Sequence, residues 1–396
     1  MEAPFSGPMR CRLSCGMAGN AQTTPLVMIA PENRRTTLCR RAAWVLGILS
    51  LGWISGCATA PAKPGGPKYT FYPPPPEPPR LQFLTGFSEE RDLGQHVSKL
   101  AALVTGVTPS SQPIVKPYGV ALASGRLYVC DTGTRSVAIL DLAGRTMRSL
   151  APAGMGKMGT PVNVAIDADG TRYVADTGRN KVLIYGSDDT FLGAIGDGDT
   201  LRPTSVALTT NRVYVADLDG HCVRVYAKAG HAQLFTIPRY PEATEEQEPG
   251  KLFMPVNLAL DQRGQVYVSD MAACHIRVYD SEGKHLRTFG AAGDLPGQFA
   301  RPKGVAVDRE GRIFVVDAAA QVCQIFDASG RLLLSFGEAE GRAAPLNLPA
   351  AVTVDYEQVG WFQKYIAPDF VVEELVIVSN QYGPNKISVY GLGHKK

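Results

Sequence analysis

The chain has 396 residues, 45% hydrophobic and 19% charged, which excludes a disordered or fibrous polypeptide and supplies apolar material for a sizeable core. Its formal charge of +3 comes from the N-terminus. Residues 1–56 hold six Arg and two acids, leaving 34 bases against 35 acids from Cys57 onward. A nearly neutral remainder carries no electrostatic footprint for nucleic acid.

Residues 1–56 read as a targeting segment, with Met28 an alternative start that would leave 1–27 untranslated. Arg34, Arg35, Arg40 and Arg41 precede an apolar run from Ala42 to Ile54, too short to span a bilayer comfortably and suited to a signal h-region. The run ends in Ile54-Ser55-Gly56-Cys57, which resembles a bacterial lipobox. That resemblance implies a lipoprotein: signal removal at Cys57, a lipid on its thiol with palmitate-like acyl chains, and a membrane held through that anchor. Ala58 after the cysteine implies sorting to the outer membrane.

From Cys57 to Pro79 the sequence is rich in Pro, Gly and small residues, and Pro73 to Pro76 predict a polyproline II stalk off the membrane. From Arg80 to the end, repeats dominate. Similar segments start at Pro117, Pro161, Pro203, Pro255, Pro302 and Pro349, spaced by 44, 42, 52, 47 and 47 residues, the period of a four-stranded propeller blade. Within them "PVNVAIDADGTRYVADTGRNKVLIYG" shows the plan: an inner strand, a tight turn, a "YVAD" strand and a third strand. A fourth follows, as in His285–Phe289 and Leu332–Phe336.

These segments resemble the NHL repeat over about Arg80 to Gly391. The resemblance implies an all-β fold, a six-bladed β-propeller spanning residues 80–396. Inner strands converging on an axis need small side chains, and Ala121, Ala165, Ala207, Ala259, Ala306 and Thr353 recur there. The sixth repeat stops at its third strand, which would leave an open edge. Arg80–Phe87 (RLQFLTGF) is therefore expected to close the ring as the missing fourth strand.

Candidate chemistry is sparse. Asp131, Asp176, Asp217, Asp270 and Asp317 recur in blades one to five, with Asn380 in the sixth, as turn-stabilising acceptors do and a single active site does not. Asn163 and Asn257 sit near the axis, where lactonase-like propellers hold calcium, but the equivalent positions are Gly119, Ser205, Gly304 and Ala351, too poor in oxygen for a dication. Lys116, Arg202 and Arg301 precede the repeat proline in alternate blades, a ring of bases suited to an anionic group. Cys222 and Cys274, beside His221 and His275, allow a disulfide, a soft metal site or free thiols. An insertion in blade six, Val359–Val372, carries Trp361, Phe362, Tyr365 and Phe370, either a partner-binding surface or a cover for the closing seam.

The reading is a non-catalytic binding or assembly lipoprotein of the outer membrane with a protein partner in the cell envelope and no cofactor. Similar lipoproteins imply partnership with extracellular electron-transfer or export systems. The alternative is a lactonase-like or lyase-like propeller hydrolase with an axial metal.

Overall fold

The computed structural model describes residues 69–94, 112–196, 201–239, 250–338 and 345–396. Cys57, the basic and apolar run before it, and the acidic segment 241–249 lie outside the described residues. No helix among the described residues is long and apolar enough to cross a membrane.

Six antiparallel sheets form the blades of a β-propeller, five of four strands and one of five. Blades one to five run consecutively from Pro117, Pro161, Pro203, Pro255 and Pro302, each built in sequence order from an inner to an outer strand. Second strands such as Val266–Asp270 and Ile313–Asp317 are buried along their whole length. Both faces of a blade pack on its neighbours, so these strands read as continuous apolar runs and do not alternate. Between each pair of adjacent blades lies an apolar core. One such core joins Val162 and Tyr173 of blade two to Val206 and Val215 of blade three.

Blade six is assembled from both ends of the chain. Pro349–Asp355, Phe370–Asn380 and Ile387–Lys395 supply three strands, and Leu81–Phe87 pairs with the last of these, Leu81 opposite Leu392 and Phe87 opposite Ile387. The expected closure by the N-terminal strand is present.

One expectation needs correction. The Pro-rich segment is not a free spacer throughout: Thr70–Tyr72 adds a fifth strand, paired with Leu81–Phe83. Tyr72 is fully buried, its ring 5.9 Å from Phe336 and 6.2 Å from Tyr390, and Phe71 stacks 5.3 Å from Phe370. The aromatic run Tyr69-Thr70-Phe71-Tyr72 gives this stretch apolar area to bury, and the open edge of the closing strand supplies unpaired backbone groups. Pro73–Pro79 then turns the chain back and, with Phe370 and Lys395, encloses an apolar cavity of about 420 Å³.

Of the connector Ser88–Lys116, Glu90–Leu93 forms a short 3-10 turn, and residues 95–111 lie outside the described residues.

Candidate functional site

The blade-end aspartates set the geometry of one face of the ring. Asp131 accepts backbone N–H groups from Gly133 (2.9 Å) and Thr134 (3.3 Å) in the following turn, and also from Val115 (2.7 Å) and Lys116 (2.9 Å) in the loop leading into the blade. Asp317 does the same for Ala319, Ala320, Ala300 and Arg301. The turn half of this role is legible from the repeat. The other half, fixing the inbound loop of the same blade, is not, because those residues lie 15 to 17 positions upstream. Each acceptor is essentially inaccessible, so its charge is engaged by several N–H groups beneath the surface. Through these bonds Lys116, Arg202 and Arg301 are held by their own backbone N–H groups at the rim of the axis.

The three cations do not form an equivalent ring. Arg202 pairs with Asp219 at 3.3 Å. The cation that sequence reading missed is Lys303, two residues after Arg301 on the inner strand of blade five. Its ammonium reaches past blade six to lie 4.8 Å from the Tyr118 ring of blade one. Burial, and then the charges of Arg301 and Lys116, pull Lys303 down to about 8. Burial raises the Tyr118 hydroxyl. The signal for Lys303 was present as the single basic residue at the position after the repeat proline, where the other blades have Tyr118, Val162, Thr204, Val256 and Ala350. Large apolar side chains stand exposed on the same face: Val115 and Phe253 in inbound loops and Tyr382 in a blade-six turn.

Below this mouth the axis is lined by small and aliphatic side chains with two asparagines. A cavity of about 340 Å³ is lined by the predicted small residues Ala121, Ala165, Ala207, Ala259, Ala306 and Thr353. Asn163 and Asn257 line it too, and the structure gives them another role. The side-chain oxygen of Asn163 accepts from Val206 N–H, and that of Asn257 from Val305 N–H, both at 3.0 Å. Each ties its inner strand to that of the next blade. Ser205 joins the set, accepting from Leu258 N–H at 3.2 Å. Where Gly119 and Gly304 occupy this position, a Cβ would lie 2.6 Å from the neighbouring backbone. In blades one to five the position is therefore occupied by either a polar tie or a glycine that permits close approach, and blade six has the small Ala351 there. No carboxylate lines the cavity among the described residues, so its donor set does not fit a dication.

The blade-six aromatics pack at the closing seam, the second of the two readings that the sequence left open. Phe362 and Phe370 are buried, 1% and 3% exposed, in the core that also holds Phe87 of the closing strand and Leu142 of blade one. Trp361 and Tyr365 pack against it, half-buried, with Lys364 above both rings. The insertion thus completes a core shared by Phe87 and Leu93 with repeat strands of blades one and six. The four described cysteines are free thiols: Cys130 and Cys323 are buried, and Cys222 and Cys274 half-buried. Burial raises Cys222 to about 11, which makes it a poor nucleophile or metal ligand.

The opposite face carries a cluster that sequence reading did not find. Ligand atoms of Asp308, Glu310 and Glu374 lie within 4.8 Å of one another, spanning blades five and six. Arg312 is inserted among them, contacting Asp308, Glu310 at 3.1 Å and Glu374 at 2.6 Å. Tyr356 bonds Glu310 at 2.5 Å. Burial, reinforced by Asp308 and Glu310, lifts Glu374 to about 7 against the opposing effects of Tyr356 and Arg312. A guanidinium already supplies the positive charge this cluster attracts.

Comparison with known proteins bears on the fold. Residues 200–226 match the family model of the NHL repeat. No curated protein matches the sequence. Among solved structures, a gluconolactonase from Xanthomonas campestris superposes with a TM-score of 0.52 at 16% identity, covering 84% of this chain and 99% of that one. A structural-genomics protein of unknown function from Bacteroides thetaiotaomicron gives 0.52 at 14% identity over 70% of each chain. Virginiamycin B lyase from Staphylococcus aureus gives 0.49 at 11%, covering 70% of this chain and 95% of the lyase. At such identities the likeness concerns fold alone. The chain is a six-bladed β-propeller carrying an NHL repeat.

Proposed function

We propose that this chain is a lipid-anchored, non-catalytic binding protein of the bacterial outer membrane, recognising an anionic group of an envelope partner on the face formed by the inbound loops. The observation that supports this reading most is the convergence of Lys116, Arg301 and Lys303 at the axis mouth, with no carboxylate within ion-pairing distance of any of the three among the described residues. Exposed Val115, Phe253 and Tyr382 add apolar contact area around these cations, the mixture that binding patches use. The lipobox supports membrane attachment through Cys57, and the likeness to lipoproteins of electron-transfer or export systems suggests where a partner is to be sought.

A hydrolase reading draws on the Asp308–Glu310–Glu374 cluster and on the fold shared with a gluconolactonase. Arg312 within that cluster, and an axis without carboxylates, favour binding over catalysis. The test is affinity capture of the protein from gently solubilised membranes. Changing Lys116, Arg202 and Arg301 together to Gln is expected to weaken capture, and so is raised salt. Capture indifferent to both would refute this use of the face.

A further inference from the structure

The mouth of the axis has a feature that a merely solvated basic rim lacks. Lys303 is not extended into water. It leaves the inner strand of blade five, crosses in front of blade six, where the corresponding residue is the buried Ala350, and ends over Tyr118 of blade one. Arg301 and Lys116 stand at the rim of the same two blades, five and one, and both are exposed. Three cations thus stand at the axis mouth on two blades, with Arg301 and Lys116 close enough to act electrostatically on Lys303. The Tyr118 ring lies 4.8 Å from the Lys303 ammonium. The blade-end carboxylates beside these cations, Asp317 and Asp131, are buried and engaged by backbone N–H groups. Like charges brought together without a counter-ion repel, and a bound oxyanion relieves that repulsion.

We propose that Lys116, Arg301 and Lys303 form an oxyanion site at the mouth of the axis, taking a phosphate or carboxylate group of a ligand. This rests on the reading of the inbound face given above and names the chemical group and the residue that responds. Arg301 contributes a planar fork that is always charged, and Lys116 a mobile point charge. Lys303 is the titrating member. Near neutrality and below it is already protonated. At pH 8 it is divided between its forms, and a neighbouring anion favours the ammonium.

Calorimetry on the full chain tests this, with sulfate as a probe because it does not itself titrate near pH 8. Binding measured in buffers of different ionisation heat is expected to show uptake of up to about half a proton at pH 8, vanishing at pH 6. Lys303→Arg is expected to keep sulfate affinity within about threefold and abolish the uptake, because guanidinium stays charged. Lys303→Gln should weaken binding about tenfold or more, as loss of one close charge does. Vesicles containing phosphatidylglycerol form a second arm. Uptake with vesicles and not with sulfate assigns the group to a lipid headgroup, and uptake with sulfate assigns it to a free or partner-borne anion. Silence in both arms, or uptake unchanged in Lys303→Arg, overturns the proposal. If partner capture still responds to the Lys116/Arg202/Arg301 changes while both arms are silent, the wider reading of the face stands and this site does not.

Discussion

The indole N–H of Trp361 in blade six donates to the carbonyl oxygen of Leu142 in blade one, 2.5 Å away and 219 residues earlier in the chain. The bond spans the seam where the two ends of the polypeptide meet. Behind it Phe362 packs 6.3 Å from Phe87 of the closing strand, ring centroid to ring centroid. Phe362→Ala is therefore expected to cost roughly 3–5 kcal/mol, as removal of a buried aromatic does. Trp361→Phe, which keeps a ring and loses the bond, should cost about 1 kcal/mol. Urea unfolding measures both. A stable Phe362→Ala protein with impaired partner capture would reverse the assignment and make the insertion a recognition surface.

Closure by the N-terminal strand gives a second expectation. Deleting Arg80–Phe87 removes the ladder to Ile387–Lys395 and should destabilise the whole ring. Tyr72→Ala leaves that ladder intact but opens the aromatic cluster with Phe336 and Tyr390, and should cost a few kcal/mol, about 3–5 for a fully buried ring. Shortening 58–68, which lies before the first described strand, should leave the melting temperature unchanged. Equal melting temperatures for all three would show that the ring does not depend on the N-terminal strands.

Much of this architecture is legible in the sequence because each blade repeats it. The proline, the small residue four positions later, and the "YVAD" aspartate recur with a fixed period, and the inner strand, second strand and turn follow from them. What was not legible depends on distance across the ring. Lys303 differs from its repeat equivalents by one side chain, and only the structure shows that it reaches Tyr118 two blades away. Glu374 lies on a second strand of blade six and Asp308 at the end of an inner strand of blade five. No local pattern brings them together. The strand at Thr70 was obscured by its proline-rich context, since composition there describes a spacer while three aromatics in four residues describe an edge strand.

The Glu374 cluster predicts a pH dependence. Its carboxyl is lifted from the ordinary 4.5 to about 7, chiefly by burial, so between these values the folded chain holds a proton that the unfolded chain releases. The associated stability is fully present below pH 4.5 and is lost as pH rises through 7. Glu374→Gln keeps the shape and does not titrate. The stability of the native chain relative to this variant should therefore fall across that window, followed by denaturant unfolding at each pH. A difference that is flat or rises with pH would show that Glu374 is ionised throughout, held so by Arg312.

Attachment through Cys57 carries its own expectation. Cys57→Ala should leave the propeller's melting temperature unchanged, because stability resides in blade packing, while the protein leaves the outer-membrane fraction. Fractionation with washing measures this. Undiminished recovery in washed outer membranes would contradict the lipobox assignment.

The most direct measurement compares the two faces of the ring in one capture experiment. One variant removes the mouth cations, with Lys116, Arg301 and Lys303 all changed to Gln. The other alters the opposite face, with Arg309→Gln and Tyr356→Phe, whose side chains stack at 4.3 Å near the carboxylate cluster. Partner affinity is expected to fall about tenfold or more in the first variant, with a matching loss of salt dependence, and to stay within about twofold in the second. Loss confined to the second variant, with the mouth variant binding as the native chain does, would contradict recognition at the inbound face and return the function to the Asp308–Glu310–Glu374 cluster.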